Sequence, residues 1–303
     1  MSVAALMSES LYQIKAMALL AILPSILVLS GWALAGRTGL LVALLVSAAI
    51  GCSIYLLADR CILHMHGAQP LSEEHAPGLF SIVRKVARQA DSSVPNVYLL
   101  PDRSANAFAT GRGGKHAAIV VSTGLLELLD GEELAAVIAH EFGHLQRGDT
   151  LLMTIVAAIA ASLTSVSNLF TWSKLVGNRP HKVERRDGVP SDALLWVLIA
   201  PLVVLIIRLT LSDSREYLAD EYSARVIGDP DPLRRAVIKI DANRLRAPLT
   251  SASPATAHLF ICNPLSSRSL ARLFETHPPL SKRVDRLDTL ARRRVASSCV
   301  GIN

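Results

Sequence analysis

Two uncharged stretches, residues 16–35 and 38–58, follow one another with only Gly36 and Arg37 between them. Each is about 20 residues long, the length a helix needs to cross the hydrocarbon core of a bilayer. In lipid every backbone polar group must find a partner within the protein, which leaves helices and closed barrels as spanning structures. The pair therefore reads as a helical membrane hairpin over residues 1–58. Pro24 marks a kink of the kind that lipid-embedded helices tolerate. The rival reading makes the first run a cleaved signal peptide, with Lys15 ahead of it and Ala33-Leu34-Ala35 imitating a cleavage site. A second apolar run that follows at once speaks for an anchor that stays.

Residues 151–170 and 193–211 form a candidate second pair. The third run is diluted by Ala, Ser and Thr, and the fourth carries Arg208. Four spans conflict with one rule. The loop 171–192 holds Lys174, Arg179, Lys182, Arg185 and Arg186. It would face away from the remaining polar parts, whereas basic loops prefer the cytoplasm. These runs explain why 51% of the chain is hydrophobic and only 18% charged, against about 25% charged in soluble domains. Roughly 200 residues remain outside them, enough for one domain with a core.

The net charge is +6, and residues 213–303 hold 15 Lys or Arg against 10 Asp or Glu. Aromatics make up 5%, too few for a surface that stacks nucleic-acid bases. A region near anionic lipid headgroups and an ordinary solvated basic surface both fit. Cys52, Cys61, Cys262 and Cys299 form no CxxC pair, so neither a disulfide framework nor a thiolate metal site is indicated.

The polar parts read as α+β. Residues 72–90 have helical periodicity and 97–100 suit a short strand. Residues 104–110 and 117–122, joined through Gly113-Gly114, read as a β-hairpin. Asp130 with Glu133 makes a capping box for a helix running to about Arg147 and stopping at Gly148. Helices are also expected over 212–227, 232–245 and 279–294, with a loop over 247–268.

The helix after Asp130 contains His140-Glu141-Phe142-Gly143-His144, the HExxH pattern. Residues four apart share a helix face, so both imidazoles can reach one metal ion, with Glu141 placed to take a proton from water. Leu134, Val137, Ile138, Phe142 and Leu145 give the motif an amphipathic setting that chance would not supply. Two imidazoles, a carboxylate and an open position suit zinc, one ion per chain. Metzincins continue with a glycine and a third histidine. Arg147 and Thr150 occupy those positions. A glutamate on another helix is the alternative. Glu216 is the best placed by spacing, with Asp220 on the same face to fix a ligand imidazole. Glu221 and Glu275 are rivals.

Four stretches resemble a known family: Asn106-Ala107-Phe108-Ala109-Thr110-Gly111, the HExxH segment, Ser214-Arg215-Glu216-Tyr217-Leu218-Ala219-Asp220 and His277-Pro278-Pro279-Leu280. Their order and spacing are similar to the HtpX-type membrane zinc metallopeptidases, relatives of the CAAX prenyl proteases. The resemblance runs from about Asn96 to Leu290. It implies Glu216 as third ligand, Asn106 and the following strand (Ala107, Phe108, Ala109) as the hold on substrate backbone, and His277 near the catalytic centre. It also implies an active site at the cytoplasmic face of a bacterial inner membrane, and a part in membrane-protein quality control under stress. Asp213 before Ser214 and the longer N-terminus depart from the family pattern without touching a ligand.

Physically, residues 106–110 read either as an edge strand that pairs with an extended peptide or as an ordinary hairpin strand. His277 ahead of Pro278-Pro279 reads either as an oxyanion donor or as a helix-start residue. Arg283 could serve as a similar donor. His64, His66, His75, His116, His181 and His258 have no ligand-like setting.

The expected architecture is a mainly α membrane protein with an α+β zincin-like metalloprotease domain, about four transmembrane helices and a small β-hairpin sheet. Its parts are 1–58, a membrane hairpin; 59–150, with the HExxH helix; 151–211, a second helix pair; and 212–303, with the third ligand. The expected activity is zinc-dependent endopeptidase action, with Glu141 as base and His277 aiding the oxyanion. Six residues separate His144 from the third run, which at about 1.5 Å per residue puts the metal roughly 10 Å from it. Protein substrates in or near the bilayer are therefore favoured. A narrow processing protease of the CAAX type, a silent membrane scaffold and a zinc transporter are the competing readings. The scaffold would have lost Glu141 or a ligand, and the transporter would want ionisable residues within several spans.

Overall fold

The computed structural model describes residues 3–161, 204–205, 213–244, 246–249, 253, 255–264 and 277–300. The chain divides into two units, one of Met1–Cys52 and Val156–Thr210, the other of Ser53–Ile155 and Leu211–Asn303. The described residues are mainly helical, with one small mixed sheet.

Helix α1, Val3–Met65, supplies most of what is described of the first unit. It is interrupted at Ala35 (φ −140°, ψ 25°) and Gly36 (φ 56°, ψ −135°). Gly36 accepts the positive φ because it has no Cβ. The chain folds back there. A Cβ built on Gly31 would lie 2.6 Å from that of Ala43, whereas residues twelve apart in a straight helix are about 18 Å apart. Pro24 lies inside the helix without ending it. Leu27, Leu29, Trp32, Leu34, Leu41 and Leu45 are exposed. An apolar surface of this extent wants lipid or a partner rather than water. Among the described residues, one helix, Pro24–Met65, is long and apolar enough to cross a membrane. Of the expected second pair, helix α5 (Asp149–Ala161) covers the start of the third run. Apart from residues 204–205, the rest of both runs, with Arg208 and the loop 171–192, lies outside the described residues.

The second unit holds strands β1 (Gln69–Pro70), β2 (Asn96–Leu100), β3 (Ala107–Thr110) and β4 (Ala118–Ser122) in the order β1-β2-β4-β3. The expected hairpin is present: β3 runs antiparallel to β4, from Ala107 rather than Ser104. Its connection turns at Gly111 (φ 104°), where a Cβ would lie 2.0 Å from the His116 carbonyl oxygen. The sheet is larger than a hairpin because β4 also pairs in parallel with β2. Every residue of β4 is buried, as suits a strand covered on both faces.

Around the sheet lie α2 (Pro77–Gln89), α3 (Thr123–Leu128), α4 (Gly131–Gln146), α6 (Asp213–Ile227), α7 (Asp231–Arg244) and α8 (Leu280–Val300). Helix α2 begins five residues later than Ser72 because Pro77 takes its first turn, where the missing N–H costs nothing. The core brings together Val83 and Val86 of α2, Ile119 and Val121 of β4, Val137, Ile138 and Phe142 of α4, Leu233 and Val237 of α7, and Leu287 of α8. The centre of α4 is thus enclosed on all sides.

Candidate metal centre

The capping box forms as the spacing requires. Asp130 accepts from the N–H groups of Glu132 and Glu133, each at 2.9 Å, and Glu133 reaches back to the Asp130 N–H. Glu133 is fully buried and also receives Lys239 at 2.7 Å and Arg235 at 3.3 Å, which fastens α7 to the start of α4. Helix α6 crosses α4 closely at Gly143, where a Cβ would stand 3.1 Å from Ala219 Cα and 3.2 Å from Tyr222 Cβ. Ser223 adds a 2.7 Å bond to the Ala136 carbonyl. This crossing sets Glu216 against the two histidines.

His140, His144 and Glu216 are buried and offer ligand atoms within 4.8 Å of one another. The two Nε2 atoms are 3.3 Å apart. Glu216 Oε1 lies 3.5 Å from His144 Nε2, and Oε2 3.7 Å from His140 Nε2. Two nitrogens and a carboxylate converging at this range suit a metal ion. Burial lowers the His140 ring to about 4, overcoming the pull of Asp220. His144 is raised: burial opposes the charged ring, but Asp149, Glu216 and Glu141 outweigh it. Glu216 is held well below the carboxylate range, its burial outweighed by His277, His144 and His140. Burial pushes Glu141 up to about 7, outweighing His144, which favours its charged form.

Two buried acids back the histidine rings. Asp220 Oδ1 lies 2.9 Å from His140 Nδ1. Arg283 grips the same carboxylate with Nε at 2.9 Å and Nη2 at 2.6 Å, and gives Nη1 to the Ile261 carbonyl at 2.8 Å. Arg283 is therefore held by protein groups rather than free to donate to a substrate, as the sequence had allowed. Asp149 Oδ2 lies 3.4 Å from His144 Nδ1. Its importance escaped the sequence reading, whose only signal was an acid just past the Gly148 turn. His277 Nδ1 is 3.3 Å from Glu216 Oε2, and neither ring nitrogen makes a hydrogen bond. Glu221 instead pairs with Arg286 at 2.8 Å, away from the cluster. Glu275 lies outside the described residues.

Strand β3 ends the sheet order, but part of its outer edge is covered. Asn106 and Ser122 bond to each other, so the alternation of an antiparallel ladder turns the backbone groups of Ala107 and Ala109 outward. The Ala107 carbonyl accepts from the Ile261 N–H at 2.9 Å. Asn106 Nδ2 donates to the Cys262 carbonyl at 2.9 Å. The Phe108 ring packs against Phe260 and His66. Ala109 is left as the residue beside Glu141.

A helix bearing HExxH, joined by an acid from a second helix beside a sheet edge, defines the HExxH metallopeptidases. The model of peptidase family M48 matches residues 73–291, and the chain belongs to that family. A protease HtpX homolog of Pelotomaculum thermopropionicum is 43% identical over 278 residues, covering 92% of this chain and 99% of that protein. Protease HtpX of Legionella pneumophila (strain Corby) is 41% identical over 277 residues, covering 90% and 97%. The crystal structure of S. mikatae Ste24p aligns at 17% identity with a TM-score of 0.48, covering 95% of this chain and 67% of that one. The protein is a membrane-associated metalloprotease.

Proposed function

We propose that the protein is a zinc-dependent endopeptidase of the bacterial inner membrane that cleaves membrane-associated or misfolded proteins. The approach of the three ligand side chains carries this reading. A tetrahedral zinc with Zn–N bonds of 2.0–2.1 Å holds two nitrogens about 3.3 Å apart, and the His140 and His144 Nε2 atoms are separated by 3.3 Å. The two imidazoles and the Glu216 carboxylate are the donors zinc prefers. Zinc bound there supplies a Lewis acid that polarises a scissile carbonyl and makes a water molecule more acidic.

The chain's own groups do the rest. Glu141, at about 7, can take a proton near neutral pH and return it, as a base that turns acid must. It accepts the proton of the attacking water and hands it to the leaving amine. His277, with both ring nitrogens buried and without hydrogen bonds, donates to the oxyanion of the tetrahedral intermediate. Asp220 orients the His140 ring. Strand β3 receives the substrate backbone. With Asn106 and Ala107 engaged by Ile261 and Cys262, that contact centres on Ala109.

In this reading residues 1–58 and 151–211 supply four membrane helices, and 59–150 and 212–303 form the catalytic part at the cytoplasmic face. The exposed apolar residues of α1 and relatives named protease HtpX support a role in membrane-protein quality control. Glu141→Gln tests the reading. Purified in detergent, the variant retains zinc and loses casein cleavage by about a thousandfold, the scale of a lost acid–base group. Chelator-sensitive cleavage persisting in the variant overturns it.

A further inference from the structure

Asp149 is 3% exposed and lies just past α4, at the start of α5. Its Oδ2 sits 3.4 Å from His144 Nδ1 and 3.4 Å from Arg147 Nε and Nη2. Its Oδ1 sits 3.3 Å from Arg215 Nη1. Arg215 is itself 7% exposed and immediately precedes Glu216. Arg147 closes the circuit by donating Nη2 to the Arg215 carbonyl at 2.8 Å. The arrangement repeats, at the other histidine, what Asp220 and Arg283 do for His140: a buried carboxylate lies against Nδ1, and buried arginine holds it from behind.

The position of Asp149 follows from local chain geometry. Gly148 takes a φ of 70°, which turns the chain after α4 and brings residue 149 back beside residue 144. A straight continuation of α4 would carry it past His144 by more than a turn. A carboxylate buried this deeply needs compensating charge. The two arginines provide it, and the His144 ring adds a polar contact.

We propose that Asp149 is the positioning residue for His144, and that through Arg215 it also sets the place of Glu216. This rests on the metal-site reading above. A carboxylate accepting Nδ1–H leaves the Nε2 lone pair directed at the metal and makes the ring a stronger donor. The ion pair to Arg215 and the Arg147 bond to the Arg215 carbonyl tie the first turn of α6 to the end of α4. One carboxylate therefore aligns two ligands that are far apart in sequence.

The test compares the full-length protein in detergent as wild type, D149L, D149N, R215M and the D149L/R215M double variant. Zinc affinity is read by competition with a chromophoric chelator, and ligand geometry by the visible absorption of the cobalt-substituted protein. D149L binds zinc 10–100-fold more weakly, the usual cost of losing such a partner, and its cobalt bands shift. D149N keeps an acceptor but loses the charge, and is at least fivefold weaker. R215M weakens binding alone but adds less than threefold on top of D149L, since residues in one network do not act independently. Zinc affinity in D149L and D149N within fivefold of wild type, with unchanged cobalt bands, overturns the proposal. If D149L does not fold, D149N decides on the same threshold. A wild-type protein that binds no zinc would sink the metal-site reading instead, so the two failures are distinct.

Discussion

At the scale of single residues, the centre is a case of buried charge arranged in pairs. Arg283 is 2% exposed and gives every guanidinium nitrogen to Asp220 or to the Ile261 carbonyl. Its substitution by methionine leaves Asp220 buried with His140 as its only close partner among the described residues. Breaking a buried pair from one side costs about 3–5 kcal/mol. Arg283→Met should therefore lower the unfolding midpoint by roughly 10 °C and weaken zinc binding. Activity lost with the midpoint unchanged would instead place Arg283 against the substrate. The sequence displayed part of this scale well. His140 and His144 were readable because four residues make one helical turn. Glu216 was the best placed acid by spacing, with Glu221 and Glu275 as rivals. Helix phase separates it from Glu221, which points to Arg286 at the surface. Asp149 and Arg215 were not readable, because their meeting depends on the turn at Gly148 and on how α6 lies across α4.

At the scale of elements, helices with strong local signals could be written down in advance, and pairings between distant segments could not. Helix α4 begins at its capping box and ends beside Gly148, as local rules dictate. The parallel pairing of β2 with β4 passes over β3, which intervenes in the chain. Nothing in a period-2 pattern reports such an order. Strand β1 has two residues, too few to carry a pattern. The crossing of α4 and α6 is the pairing that matters most for function. A Cβ at Gly143 would meet Ala219 Cα at 3.1 Å and Tyr222 Cβ at 3.2 Å, so the helices must part by a few tenths of an ångström to admit it. Alanine is favoured over glycine in a helix by about 1 kcal/mol, which offsets the strain. Gly143→Ala should thus leave the unfolding midpoint within a few degrees of wild type. Its zinc affinity should fall on the order of tenfold, as when the support of a metal ligand is disturbed. Wild-type affinity in this variant would show that the close crossing does not control the ligands.

Stability against acid belongs to the whole molecule, since it sums protons bound in the folded and unfolded states. Two histidines outside the ligand set contribute to it in the second unit. His66 is 5% exposed, bonded to Thr256 and packed on Phe108 and Phe260. His258 is 1% exposed, with Nε2 3.1 Å from the Met153 carbonyl. Burial lowers each from 6.5 to about 4. Between those values the unfolded chain binds more protons than the folded one, so stability rises with pH across the window. It is fully present above 6.5 and is lost as pH falls toward 4. By pH 5 the loss is about 2 kcal/mol for each ring, as an upper value. Glu141, raised to about 7, acts in the opposite sense, so the two rings are best isolated by difference. The zinc-loaded wild type should lose more of its unfolding midpoint between pH 7.5 and pH 5 than the double variant His66→Gln, His258→Gln. Glutamine keeps a hydrogen-bonding group at each place and cannot take up a proton there. Equal slopes for the two proteins would mean that both rings protonate within the fold without penalty, and that acid sensitivity arises elsewhere in the chain.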